Sequence, residues 1–253
     1  MKLGFNGEQV IITGASKGIG LECAQAFNEE GLRVVMVGRD AENLERSAKA
    51  NKLARYEIFA ADLSRPKDRE RLFNAFPDAD ILVNNAGAIP GGNLLDISME
   101  EWEAAWALKV FGYIHLTKLY LGRMMERKAG TIVNLIGTGG RMPRYDYICG
   151  GSGNAALMAF TSALGARSVD NGVRVFGINP GITLTERAVS VAKGRAVSNF
   201  GDAERWQELF KDLPLGRPAH PREIANAVAF MSSSACGYLS GTVVDIDGGT
   251  VFR

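Results

Sequence analysis

Histidine is nearly missing from this chain. Only His115 and His220 occur among its 253 residues, so a histidine-based metal cluster is not expected. Cysteine is scarce too. Cys23, Cys149 and Cys236 form an odd, widely scattered set with no CxxC pair. That argues against a disulfide framework and fits a reducing cytoplasm. No apolar stretch reaches the roughly 18 residues of a transmembrane helix, so no membrane partner is expected. Charge of one sign is lacking as well: 29 basic residues face 28 acidic ones, for a net charge of +1. With no Lys/Arg-dense run, nothing points to nucleic acid. The opening MKLGFNGEQVIITG enters a strand pattern directly, with no secretory apolar region.

What the chain has instead is alternation. Apolar, β-branched runs stand at 9–14, 33–38, 57–62, 80–87, 131–137, 173–181 and 242–249. They are nearly continuous in Val, Ile and Leu, as strands buried on both faces should be. Helical patterns lie between them. One opens at Ser98, with Glu101 three residues on as a capping box, and runs over 99–127. A second, containing NAALMAFTSALGARSV, is expected over 152–170. Strand–helix alternation at this spacing predicts an α/β fold, one Rossmann-type doubly wound parallel sheet with helices on both faces, spanning 1–253 as a single domain. Ligands on such sheets sit outside the carboxyl ends of the strands. The more polar segment 185–217 is expected to form a helical flap over that site.

The first strand ends in VIITGASKGIG, with Thr13, Gly14, Gly18 and Gly20 at the turn into a helix. Glycines there let backbone N–H groups approach a pyrophosphate, and the helix N-terminus favours negative charge. The spacing is G-x-x-x-G-x-G; a merely tight strand–helix connection is the plain alternative. The second strand ends Gly38-Arg39-Asp40. Asp40 suits an N-cap before AENLERSA. Arg39, with Lys17 from the glycine loop, suits a ribose 2′-phosphate, which favours NADP(H) over NAD(H).

These motifs, together with Asp62-Leu63, Asn84-Asn85-Ala86-Gly87, Asn179-Pro180-Gly181 and the terminal GRPAHPREIANAVAFMSSSACGYLSGTVVDIDGG, make the chain resemble the short-chain dehydrogenase/reductase family over nearly its whole length. The resemblance implies a cofactor cleft built from Thr13, Gly14, Ser16, Lys17, Gly18, Ile19, Gly20 and Arg39. It adds Asp62 and Leu63 at the adenine, Asn84 through Gly87 along the cleft, and Pro180, Gly181, Ile182 and Thr185 at the nicotinamide. It also implies a homotetramer or dimer through the two long helices, with Leu157, Phe160 and Leu164 as candidate contacts or ordinary core.

The family usually works with an asparagine, a serine, and a tyrosine and lysine four apart. Residue-by-residue alignment puts Lys109, Gly137, Gly150 and Asn154 at those positions. Cofactor binding survives on this reading, because Asn154 keeps an amide for the ribose hydroxyls. The proton chemistry does not. Tyr147, Lys109 and Thr138 are the local candidates beside Asn154, with Tyr145 and Cys149 also near. Tyr147 precedes Gly150 by three residues and is expected to fold its phenol into the vacated space; the plain alternative is a cleft wall. At about 100° per residue, Lys109 shares a helix face with Trp102, Ala105, Trp106 and Tyr113, not a solvated stripe. A lysine near a phenol favours phenolate, so Lys109 and Tyr147 are expected to mimic the missing pair. The run GGSG at 150–153 is expected just before a helix N-terminus, where free N–H groups suit an oxyanion. Three readings follow: an NADP-dependent oxidoreductase with a non-standard proton donor acting on a small apolar or aromatic carbonyl or enone, an inactive nucleotide sensor or partner subunit, and a non-redox enzyme using Lys109.

Overall fold

The computed structural model describes residues 3–5 and 7–253. Seven strands form one parallel sheet: β1 (Gln9–Thr13), β2 (Arg33–Gly38), β3 (Tyr56–Ala60), β4 (Ile81–Asn84), β5 (Gly130–Leu135), β6 (Val173–Pro180) and β7 (Val243–Ile246), in the order β3-β2-β1-β4-β5-β6-β7. Strands β1, β2 and β4 are buried almost end to end, because helices cover both faces and leave no polar side. One layer holds α1 (Gly18–Glu29), α2 (Ala41–Ala50) and α8 (Pro221–Ser232); the other holds α3 (Pro66–Ala75), α4 (Met99–Leu108), α5 (Val110–Arg127) and α6 (Ile148–Ser168). The order reverses between β1 and β4, neighbours that pair Val10 with Ile81. A crevice therefore opens at the carboxyl ends of β1 and β4, where the chain departs in opposite directions.

Two helix boundaries differ from expectation, and both bear on function. The single helix expected over 99–127 is interrupted at Lys109, which caps α4 and starts α5. The expected capping box is present, with Ser98 Oγ accepting from Glu101 N and Glu101 closing back on Ser98 N. Helix α6 begins at Ile148, earlier than 152, so Gly150, Gly151 and Gly153 are buried interior positions. Gly151 N–H is spent on the Tyr147 carbonyl at 2.8 Å, so GGSG does not form an open oxyanion terminus. Leu157 is wholly buried within one chain and belongs to the core, while Phe160 and Leu164 are partly buried and pack against it.

The segment 185–217 is helical, with α7 (Glu186–Phe200) followed by 3-10 turns at Ala203–Phe210 and Pro214–Gly216. No helix among the described residues is long and apolar enough to cross a membrane.

Candidate functional site

The glycine loop is locked to the β4 loop by one hydroxyl. Thr13 Oγ1 donates to Val83 O at 3.2 Å and accepts from Asn85 N at 2.8 Å and Ala86 N at 3.0 Å. Asn85 answers with its amide, which donates to the carbonyls of Thr13 at 2.8 Å and Gly14 at 3.2 Å. Thr13→Val keeps the shape and leaves both N–H groups without an acceptor. It should cost about 2 kcal/mol, read as a shifted urea midpoint with unchanged slope, since each orphaned buried donor costs about 1–3 kcal/mol.

Gly14 and Gly18 take φ of 68° and 58°, the left-handed region that glycine occupies without strain, and so turn the loop's backbone along the crevice. Ser16, Lys17, Ile19 and Gly20 follow at the start of α1. Arg39 is exposed at the end of β2 and makes no ion pair or side-chain hydrogen bond among the described residues. Asp40 caps α2 by accepting from Asn43 N at 3.1 Å. Asp62 accepts from Ser64 Oγ at 2.7 Å and from Ser64 N, and these bonds hold its carboxyl below the usual range. Leu63 is buried beside it. Ala86 and Gly87 line the β4 loop. Asn84 does not join them: its amide turns inward to Thr117 Oγ1 at 3.2 Å and Asn134 Oδ1 at 2.9 Å. It ties β4 to β5 and α5 and does not face the cleft.

Across the crevice, Pro180, Gly181 and Ile182 leave β6, and Thr185 caps α7 by accepting from Ala188 N at 3.2 Å. Three contacts strap α7 over the crevice. A Cβ on Gly18 would meet Thr185 Cγ2 at 3.2 Å, and Lys17 pairs with Glu186 at 3.2 Å. Arg187 donates to the carbonyls of Ile89 at 2.5 Å and Gly87 at 3.5 Å.

Tyr147 lies against Gly150. A Cβ on Gly150 would fall 2.1 Å from Tyr147 Cζ and 2.6 Å from its hydroxyl oxygen. The phenol occupies the space beside α6 that a side chain at 150 would take. Its ring also stands 3.2 Å from the Cβ position of Gly139, and Asn154 Nδ2 is 3.4 Å from the same point. Ile89, Ile97, Trp102, Trp106 and Cys149 form the apolar wall around it, and Trp106 Nε1 donates to Cys149 O at 3.2 Å. Cys149 is buried and part of that wall. Thr138 opens the 3-10 turn Thr138–Gly140, and its hydroxyl makes no hydrogen bond among the described residues. Asn154 is buried with its Oδ1 unpaired.

Lys109 turns inward at the α4–α5 break. Its ammonium donates to Ile136 O at 2.6 Å and Leu135 O at 3.4 Å, and stands 5.7 Å from the Tyr113 ring centroid. Burial, helped by the nearby Arg187 charge, brings its pKa down from 10.5 to about 8. The phenolate-forming partnership with Tyr147 is corrected here. Burial pushes Tyr147 above 10, and the cation opposing that rise is Arg187. Lys109 releases its proton first, so it cannot be the charge that draws a proton from the phenol. Sequence reasoning missed Arg187. The available signal was an arginine in the first turn of α7, where the helix dipole disfavours a cation unless something else holds it there.

Comparison with known proteins fits this architecture. The family described as enoyl-(acyl carrier protein) reductase matches residues 14–251. An uncharacterized oxidoreductase of Thermotoga maritima is 30% identical over 252 residues, covering 98% of this chain and 99% of that protein. L-Sorbose reductase from Gluconobacter frateurii, solved with NADPH and L-sorbose, superposes with a TM-score of 0.91 at 31% identity, covering 100% of both chains. An actinorhodin polyketide ketoreductase solved with NADPH gives 0.91 at 28% identity, covering 98% of each. The crevice at the β1/β4 switch, the glycine loop before α1 and these whole-length likenesses carry one conclusion: the chain belongs to the short-chain dehydrogenase/reductase family.

Proposed function

We propose that this protein is an NADP(H)-dependent oxidoreductase that reduces a small apolar or aromatic carbonyl or enone, with Tyr147 as proton donor. The observation that carries the reading is the Tyr147 phenol beside α6, filling the space over Gly150. On this reading Lys109, Gly137, Gly150 and Asn154 are a replaced set rather than a decayed one. They are adapted to one another. A tyrosine at 150 would collide with the phenol already there, and Gly137, at φ 126°, has a conformation that a serine would strain to adopt.

The residues fit NADP(H). Arg39 offers an unpartnered guanidinium beside the β2 end, with the Lys17 ammonium across the glycine loop. The orphaned Asn154 Oδ1 offers a buried acceptor to a ribose hydroxyl. Bound NADPH would supply a hydride to the electrophilic carbon. Tyr147, protonated at neutral pH, donates its phenolic proton to the atom that receives the displaced electron pair, and solvent restores it. Arg187 steadies the phenolate in between. Asn154 orients the ribose, and Thr138 offers a hydroxyl to the substrate oxygen. Proton donation of this kind contributes about 10²–10⁴-fold to a rate.

NADPH oxidation against a panel of ketones, quinones and enones tests the reading; tight binding with no turnover across the panel would sink it. That outcome would favour the second reading, a nucleotide-binding sensor or partner subunit, which the absence of a Lys109–Tyr147 hydrogen bond among the described residues supports. Arg39→Ala should cut the preference for NADPH over NADH by about tenfold, measured as the ratio of dissociation constants, since one charged hydrogen-bonding pair is worth about 1.5–3 kcal/mol. A homotetramer or dimer in the cytoplasm completes the proposal. The exposed Phe111, Tyr238 and Phe252 supply apolar surface for it.

A further inference from the structure

Two cationic side chains approach Gly87, and neither has a carboxylate partner among the described residues. The stem of Lys109 passes 2.9 Å from the Cβ position of Gly87, and Arg187 donates to the carbonyl of that same residue. Arg187 also holds the carbonyl of Ile89, which packs with Trp102, Trp106 and Tyr147 in the apolar wall. Neither cation makes an ion pair among the described residues. Both are occupied only by backbone carbonyls, which use two of the three ammonium donors and two of the five guanidinium donors. Asp146, next to Tyr147, cannot serve them, because Arg144 and Arg195 already pair with it at 2.9 Å and 3.3 Å. An uncompensated desolvated lysine beside a second cation is costly, and such charges are retained where a ligand completes them.

We infer that the substrate is an oxo acid, its carboxylate held between Lys109 and Arg187 and its apolar or aromatic body laid on Trp102 and Trp106. This rests on the oxidoreductase reading and narrows it. The reaction balances as NADPH plus a proton plus an oxo acid giving NADP⁺ and a hydroxy acid. The hydride adds to the carbonyl carbon, the C=O π pair goes to oxygen, and oxygen takes the Tyr147 proton, which solvent replaces. The carboxylate fixes which carbonyl faces the hydride, a task that the tryptophan wall alone would leave to shape.

The test compares benzoylformate with its methyl ester, which keeps the aromatic body and the ketone and removes the charge. Binding to NADP⁺-loaded protein is followed by quenching of tryptophan fluorescence, and turnover by NADPH oxidation. The acid should bind at least about 30-fold more tightly than the ester, a difference in line with about 2 kcal/mol for a charged pair. Arg187→Met and Lys109→Met should each erase most of that preference, with NADP⁺ affinity unchanged. Equal binding of acid and ester by the wild type overturns the inference. So does a loss of NADP⁺ affinity in Arg187→Met with the acid preference intact, which assigns the cation to cofactor phosphate. Acid-selective binding without turnover of either compound would leave the anion site standing and count against the oxidoreductase reading instead.

Discussion

Tyr147→Phe is expected to lower kcat by about 10²–10⁴-fold with NADPH binding changed by no more than about twofold, the range set by removing a general acid. The ring stays, so the packing against Ile97, Trp102 and Cys149 stays, and only the proton is lost. The phenol sits above its ordinary pKa because it is buried, so at neutral pH it is in the donating form over the whole working range. The rate of carbonyl reduction should therefore be flat through neutral pH and fall only when the phenol ionises in the alkaline range. A second variant separates chemistry from folding. In Gly150→Ala the new methyl would fall 2.1 Å from Tyr147 Cζ, so the phenol must move although Tyr147 is still present. It should lose turnover nearly as severely as Tyr147→Phe. Full activity in both variants would remove Tyr147 from the chemistry and return it to the cleft wall.

The fold was legible because its signals are local and repeated. A parallel strand buried on both faces must be continuously apolar, and β1, β2 and β4 are. The turn after β1 was legible for a related reason: glycines at Gly14 and Gly18 mark the left-handed backbone that the strand–helix turn adopts. The surroundings of Gly150 were legible in part. That Tyr147 fills the place beside Gly150 follows from sequence spacing and the missing bulk. That α6 starts early, at Ile148, does not, since Cys-Gly-Gly-Ser reads as a turn, and the groups that cover Cys149, Gly150 and Gly151 (Trp106, Tyr147 and the Thr138–Gly140 turn) come from elsewhere. Arg187 showed only its place in the first turn of α7, not what holds it there. Its partners are carbonyls of Gly87 and Ile89, about a hundred residues away, and carbonyls carry no sequence signature. Lys109 showed its inward face through helical periodicity, but its charge state depends on burial at the α4–α5 break, which no local pattern encodes.

That charge state gives the second large expectation: relative to Lys109→Met, wild type should gain about 3 kcal/mol of stability as pH climbs from 8 to above 10. Lys109 falls from 10.5 to about 8 on folding, and each pH unit of difference is worth about 1.4 kcal/mol. The sign follows from proton counting. Between the two values the unfolded chain holds the proton and the native chain has released it, so stability grows with pH through that window. Below about 8 both states are protonated and the native protein bears the full cost of the desolvated ammonium. Above the unfolded value neither is, and the cost is gone. Methionine keeps the stem and removes the charge, so Lys109→Met should be stabilised at pH 7 relative to its own lost hydrogen bond to Ile136 O, a loss that does not depend on pH. Leu135 O retains the Tyr113 hydroxyl at 3.1 Å. The readout is the difference between the two proteins in urea titrations at pH 7, 8.5 and 10, in which the titrations of every other group cancel. A parallel pair of pH curves would mean that the ammonium is solvated. A difference that closes as pH rises means that Lys109 is held charged at a cost near neutrality. Only an anionic ligand offsets that cost, so benzoylformate should raise the thermal midpoint of wild type at pH 7 and leave that of Lys109→Met nearly still.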